Sequence, residues 1–255
     1  MFKHIFLLLT IHPGLVYASE PSVFRIDKIE VKGLTKTKPE VILTELNFAA
    51  GDLVSEEKIV EGITRIKNTN LFVNVRHELN NEAAGKGLTI FAEDRWTTIP
   101  IAKFSSGGGV TQTILGAYDP NIAGRYLEAG AQYERLGETN SGVAWFRNKR
   151  LLNSFFYLDV QAWSINRLRT RYLQGPQEPE VKAGFLQTRK KFYLGLIYEF
   201  CWWLRAGFSL ESNSDSFSDR YVSEEVKSER LVSMLPPDTK FRFYAVHSEL
   251  GRLDY

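Results

Sequence analysis

The residues able to do chemistry are few and far apart. The four histidines are His4, His12, His77 and His247, and the one cysteine is Cys201. None falls in a His-Glu-x-x-His, a Gly-x-Ser-x-Gly or a metal-spaced cysteine set. A lipase or protease would need a nucleophile with a histidine in reach, and no such local signature occurs. The carboxylates are scattered along alternating strands, where they read as a solvated face rather than as acid and base. Gly107-Gly108-Gly109 is no phosphate cradle, since no Lys-Ser/Thr follows and no helix begins there. The sequence therefore predicts no catalytic residue, cofactor or metal. Two basic clusters, Lys149-Arg150 and Arg189-Lys190-Lys191, fall at predicted strand ends. They read as solvated turns or as contacts with anionic lipid headgroups.

The chain has 255 residues and a net charge of +2, which argues against a nucleic-acid partner. A lone cysteine rules out an intramolecular disulfide. In its apolar run, Cys201 is expected to be buried or turned to lipid.

Residues 1–18 read as a secretory signal, with Lys3 and His4, the apolar run Ile5–Leu9, and Val16-Tyr17-Ala18 at the cleavage site. The apolar run is far short of the ~20 residues a spanning helix needs. No later segment reads as a transmembrane helix, so membrane residence would have to come from a barrel.

Val23 to Trp96 reads as strand, helix, helix, strand, strand. Val23–Val31 is β-rich and ends at Gly33. Thr37 is the expected N-cap of the first helix, with Glu40 completing a capping box and Pro39 in the first turn. Ser55 is the expected N-cap of the second, with Glu56 and Glu57 in its first turn. Val54 and Ile59 form a hydrophobic staple, and Ile59, Ile63 and Ile66 an apolar stripe. Asn68 and Asn70 are suited to the left-handed conformation that ends the helix. Leu71, Val73 and Val75 are expected on one face of the next strand, which pairs with Leu88–Ala92 as a hairpin. The result is a compact α+β (βααββ) unit near the lower size limit for an independent core.

This order, with Ile29-x-Val31-x-Gly33, Gly51, the Ile59/Ile63/Ile66 helix and Leu71-Phe72-x-x-Val75, resembles a POTRA (polypeptide-transport-associated) domain. The resemblance covers Phe24 to about Arg95. Most such domains place glycine just before the aromatic of the second strand. Here Asn70 stands, the next best residue for positive φ.

From Trp96 onward the sequence alternates. Leu127, Ala129, Ala131 and Tyr133 oppose Glu128, Gly130, Gln132 and Glu134. Phe192, Leu194, Leu196, Tyr198 and Phe200 oppose Lys191, Tyr193, Gly195 and Glu199. Trp202, Leu204, Ala206, Phe208 and Leu210 form another apolar face, as do Phe241, Phe243 and Ala245. About eight strands are expected, near 97–104, 110–118, 125–135, 142–149, 154–165, 182–200 (in one or two pieces), 202–212 and 239–250. Arg169–Glu180 reads as a loop, Ser212–Asp219 as a polar turn and Ser223–Leu235 as a short helix. Such segments match transmembrane β-strands, but a soluble sandwich would alternate in the same way with its apolar face inward.

Gly107-Gly108-Gly109-Val110-Thr111, Gly116 and Asp119-x-Asn121-x-x-Gly124 add a second resemblance, to the opening of the barrel in BamA/TamA-type (surface antigen) outer-membrane proteins. Glycine in a first strand weakens packing and permits sharp curvature at a barrel seam. The expected fold is thus an α+β POTRA-like domain over 23–96, followed over 97–255 by an antiparallel transmembrane β-barrel. Family barrels have many more strands than this, so a truncated barrel of about eight strands is expected. An eight-stranded barrel can close; an open one needs a partner at its edges.

The resemblance implies a non-enzymatic outer-membrane assembly or translocation component, with its N-terminal domain in the periplasm. Its expected partners are outer-membrane lipid, unfolded outer-membrane or secreted polypeptides, and periplasmic accessory proteins. Client strands would add by β-augmentation to the edge Leu71, Val73, Val75 and His77. A second edge would be the barrel seam at Ile99, Ile101, Gly107, Gly108 and Gly109. The alternative is a small barrel acting as a pore, adhesin or envelope stabiliser.

Overall fold

The computed structural model describes residues 22–81, 85–107, 110–172, 181–201, 203–220 and 235–251. The expected signal (1–18), Gly108, Gly109, Trp202, nearly all of the Ser223–Leu235 helix and residues 252–255 lie outside them.

The first part folds as β1 (Val23–Lys32), α1 (Pro39–Leu46), β2 (Leu53–Ser55), α2 (Glu56–Asn68), β3 (Phe72–Asn81) and β4 (Lys86–Asp94). Its sheet has the order β2-β1-β4-β3, with β1 parallel to β4 and β3 antiparallel to β4. The short strand β2, absent from the sequence reading, pairs antiparallel with β1 just before the second helix. Ile42 and Leu46 of α1 and Ile59, Ile63 and Ile66 of α2 bury against Ile26, Leu88, Ile90 and Ala92 of the sheet. Ser55 caps α2, its side chain accepting from Lys58 N–H at 3.3 Å. Asn70 adopts φ +57°, as expected of an asparagine standing where glycine is usual.

Two local expectations fail here. Thr37 does not cap α1; Lys38 holds that position without a side-chain cap, and Thr37 is drawn into contacts with Asp94 and Asn121. The face Leu71/Val73/Val75 is also broken. Phe72 pairs with Asp94 and Val75 with Ala92, so Val73 and Asn74 together oppose the single residue Glu93. This β-bulge resets the alternation. Leu71 and Phe72 are buried and Val75 packs on the core, while Val73 turns outward at 57% exposure.

The second part is one antiparallel sheet of eight strands. They are β5 (Ile99–Gly107), β6 (Val110–Ile122), β7 (Leu127–Leu136), β8 (Thr139–Leu151), β9 (Phe156–Tyr172), β10 (Val181–Cys201), β11 (Leu204–Ser218) and β12 (Thr239–Leu250). Each pairs with its sequence neighbours, which leaves β5 and β12 as the edges. Residues 182–200 form one strand, not two. Ser212–Ser218 is no turn but continues β11 along β10, and Arg169–Tyr172 belongs to β9 rather than to a loop. Alternation fades there because both faces are polar, so pattern alone could not extend the strands.

The sheet is inside out relative to a soluble protein. Its more crowded face, the concave one in a curled sheet, buries Glu128, Glu134, Ser141, Ser209, Asn213 and Asp215. The opposite face leaves Leu115, Tyr133, Phe146, Phe192, Leu194, Leu196 and Phe208 exposed, each by at least 38%. Except for Tyr126, in the turn between β6 and β7, the buried apolar core lies wholly within residues 26–92. A sandwich would bury the apolar face. The concave carboxylates are paired across strands instead, as in Arg189–Asp215 at 2.6 Å, Arg167–Glu134 at 2.7 Å and Lys191–Glu211 at 2.7 Å. The edge strand β12 runs in the opposite phase. Phe241 faces Asn213 and Phe243 faces Glu211, which places both rings on the concave side and corrects the expectation that they form an outward apolar face.

Candidate functional site at the junction

The two parts of the chain meet around the turn that joins β6 to β7. Asp119 accepts the backbone N–H of Asn121 at 2.8 Å, and Asn121 Oδ1 accepts the N–H of Tyr126 at 2.9 Å. This asparagine-centred turn frees Asn121 Nδ2 to donate to Thr37 Oγ1 at 2.7 Å. Gly124 O accepts from Lys38 N–H at 2.8 Å. Gly124 has φ +70°, and a Cβ there would lie 2.0 Å from Lys36 O, so only glycine lets the two backbones approach. The Asp119-x-Asn121-x-x-Gly124 motif is thus the dock on which the first part of the chain sits.

Charge completes the dock. Lys36 Nζ reaches Asp119 at 2.8 Å and Thr97 Oγ1 at 2.7 Å. Asp94, at the end of β4, accepts the backbone N–H groups of Thr35 and Lys36, each at 2.7 Å, and that of Thr37 at 3.1 Å. Partial burial works against its charge. The Lys36 N–H, the Thr37 hydroxyl and the Thr35 and Thr37 N–H groups outweigh that and hold its carboxyl below the ordinary value.

Glu45 occupies the buried stripe of α1, 1% exposed, and takes a bidentate contact from Arg150 of β8. Arg65 of α2 pairs with Glu199 of β10 at 2.9 Å; Arg150 and Arg205 approach the same carboxylate at 3.7 and 3.6 Å. The ring of Phe155 lies 4.8 Å from the Arg65 guanidinium and 5.0 Å from that of Arg150. Arg150 is therefore turned inward to a carboxylate, not outward to headgroups, which corrects that reading of the Lys149-Arg150 cluster. In the second cluster, Arg189 and Lys191 likewise point to concave carboxylates, while Lys190, between them, falls on the outward face by register.

A cavity of about 710 Å³ opens at this junction. Asn68 and Asn70 at the end of α2, Arg95 and Trp96 of the connection, Ile99 at the start of β5 with its partner Tyr118 on β6, and Ile197 and Glu199 of β10 are among its lining. The cavity lies between the beginnings of the two predicted edges. β3 is an edge strand of the small sheet and β5 an edge strand of the large one. Of the predicted edge residues, Val73 is outward, Leu71 and Val75 face the core, and His77, opposite Ile90, lies on the helix-covered side. Ile99 and Ile101 pair with Tyr118 and Gly116 on the concave face, and Gly107 ends β5 with open space around it.

Sequence reading singled out Asp119-x-Asn121-x-x-Gly124 and Lys149-Arg150, but not as a junction, and it did not connect Glu45, Arg65 and Glu199 to them. One signal was present: Glu45 interrupts the apolar stripe Val41, Ile42, Leu46, and a carboxylate in such a stripe calls for a buried partner. Nothing local brought Arg65, Arg150 and Glu199 together. Among the described residues no cluster of three or more His, Cys, Asp or Glu could hold a metal ion, and no helix is long and apolar enough to cross a membrane.

Residues 24–91 match the family model POTRA, described as "Surface antigen variable number repeat". No curated protein matches the chain. Among solved structures, BamA from Haemophilus ducreyi lacking POTRA domains 1–3 is 11% identical, with a TM-score of 0.59 over 88% of this chain and 43% of that one. CdiB from Acinetobacter baumannii is 11% identical, with a TM-score of 0.53 over 89% of this chain and 43% of its own. CdiB from Escherichia coli is 13% identical, with a TM-score of 0.52 over 88% and 41%. The chain therefore spans less than half the length of these proteins and shares their fold: a POTRA domain followed by strands of a BamA-type barrel.

Proposed function

We propose, from the premise of a POTRA domain joined to BamA-type barrel strands, that this chain is a non-enzymatic outer-membrane component that assembles or translocates polypeptides. The POTRA domain would lie in the periplasm and the large sheet in the membrane. The observation that carries the reading is the inverted sheet, whose apolar face is exposed and whose polar face is crowded. That arrangement is stable where hydrocarbon replaces water. A client strand would pair with the free edge of β3, where main-chain hydrogen bonds supply affinity with little demand on client sequence. The cavity at Asn70, Trp96 and Ile99 would then pass it to the free edge of β5.

The bulge at Val73 makes the test specific. Val73 has no direct partner on β4, so Val73→Pro removes a donor while leaving the β3–β4 pairing from Val75 onward in place. With a photo-crosslinker at Ile99, the variant is expected to give clearly less client adduct. Unchanged adduct in a folded variant would remove β3 from the route.

A further inference from the structure

We infer that Lys190, Lys240 and Arg242 hold the phosphate of an anionic lipid on the outward face of the large sheet, in the leaflet away from the POTRA domain. The inference rests on the membrane reading above, because that face meets lipid only if the sheet is embedded. Register places the three cations together. Lys190 on β10 and Lys240 on β12 both lie opposite Ser214 on β11, and Arg242 lies opposite Ser212. The two lysines thus flank a serine hydroxyl from strands about 10 Å apart, with a guanidinium fork beside them. A phosphate over Ser214 would accept from all of these groups.

What these cations lack points to a ligand. On the concave face the neighbours of Lys190 are paired, Arg189 with Asp215 and Lys191 with Glu211. Lys190, Lys240 and Arg242 are exposed, and among the described residues no hydrogen bond, ion pair or ring contact engages them. Nor does a carboxylate on the same face neutralise them, since β9 to β12 carry no Asp or Glu there. Asp238, just ahead of β12, accepts the N–H of Phe217 instead. The height is that of a headgroup. Glu199 meets the POTRA domain through Arg65. From there to Lys190 the strand runs about 30 Å, or about 23 Å along the membrane normal at the usual tilt. The apolar band of such a sheet is about 25 Å tall, so Lys190 stands at its far rim, beyond Phe192, Leu194 and Leu196. Lys190 also ends a shallow apolar groove of about 700 Å³, lined on the outward face by Tyr133, Gly142, Ala144, Ala162 and Ser164. An acyl chain of the bound lipid lies in that groove. The site occupies a face and leaves the edge of β5 free for a client.

The test uses the full chain, extracted from membranes in a non-ionic detergent and titrated with lipid under native mass spectrometry. Dioleoyl phosphatidic acid is the probe. Dioleoyl phosphatidylcholine, whose phosphate charge choline cancels, is the reference. The unaltered chain is expected to retain the acid far more tightly than the reference. Lys190→Gln/Lys240→Gln/Arg242→Gln should weaken retention of the acid by on the order of a hundredfold. Arg25→Gln/Lys58→Gln/Lys67→Gln removes the same charge from the POTRA domain and should leave retention unchanged. Ser214→Asp sets a carboxylate between the two lysines and should lower retention too; it decides the matter if the first triple variant does not fold. Equal retention of the two lipids by the unaltered chain would overturn the inference. So would unchanged retention in the folded outward-face variants, or an equal loss in both triple variants. Displacement of the acid by millimolar inorganic phosphate would mean a site for a soluble anion and would overturn it as well. Alkaline extraction of reconstituted vesicles separates the two levels. A chain that stays embedded but does not prefer the acid removes only the lipid site, whereas a chain released into solution removes the membrane reading too.

Discussion

Glu45 on the first helix and Arg150 near the end of β8 form a two-point contact, 2.6 Å from Nε and 2.8 Å from Nη2, across the boundary between the POTRA domain and the barrel strands. Removing one partner strands a buried charge, whereas replacing both with apolar side chains does not. Arg150→Ala is expected to cost about 3–5 kcal/mol of stability. The double variant Glu45→Leu/Arg150→Met should be distinctly more stable than Arg150→Ala. Thermal melts of the three proteins in detergent check the order.

Gly124 is a second point of control. Alanine there would hold φ near +70° and place its Cβ against Lys36 O. The strain is expected to cost about 1–3 kcal/mol and to weaken the Lys38–Gly124 hydrogen bond. Limited proteolysis should then cut the 33–38 segment faster, with the sheet itself unaffected.

Asp94 makes the docking segment pH-dependent. Its carboxyl is held below the ordinary value of 3.8, so the folded state binds its proton less readily than the unfolded state. Its contribution is complete above that ordinary value and is lost as pH falls through the depressed one. Asp94→Asn should therefore be less stable than the parent at neutral pH, by about 2 kcal/mol for the lost charged hydrogen bonds. The gap between the two should close on acidification below 3.8. Melts from pH 7 to pH 2 measure it; a constant gap would show that the charge of Asp94 does not contribute.

The two faces of β10 give a sharp pattern. Nitroxide labels at 192, 194 and 196 should be accessible to oxygen, and labels at 191, 193 and 195 to a water-soluble nickel complex. Leu194→Arg should cost about 2–4 kcal/mol if that position lies near the midplane.

Much of this architecture was legible in the sequence. Helical stripes such as Ile59/Ile63/Ile66 and strand alternation such as Phe192 to Phe200 reflect burial and pleat directly, and both appear in the structure. The failures came where a neighbour distant in sequence decides. Thr37 has the chemistry of a cap, but Asn121 and Asp94 claim it. Period two puts Val73 on the face of Leu71 and Val75, but a bulge resets the count and turns it outward. Ser212–Ser218 lacks an apolar face, so pairing with β10, not hydrophobicity, makes it a strand. The junction was least legible, because Arg65, Arg150 and Glu199 come from three elements far apart in sequence and acquire meaning only when packed together.

The central claim is that a client polypeptide passes from β3 to β5 through the junction. The most direct measurement places a photo-crosslinker in turn at Val73, Asn70 and Ile99 in cells. The account predicts that one set of unfolded outer-membrane or secreted polypeptides is captured at all three positions, and that capture at Asn70 and Ile99 falls when Val73→Pro is present. Capture at none of the three by a folded, membrane-embedded chain would contradict it.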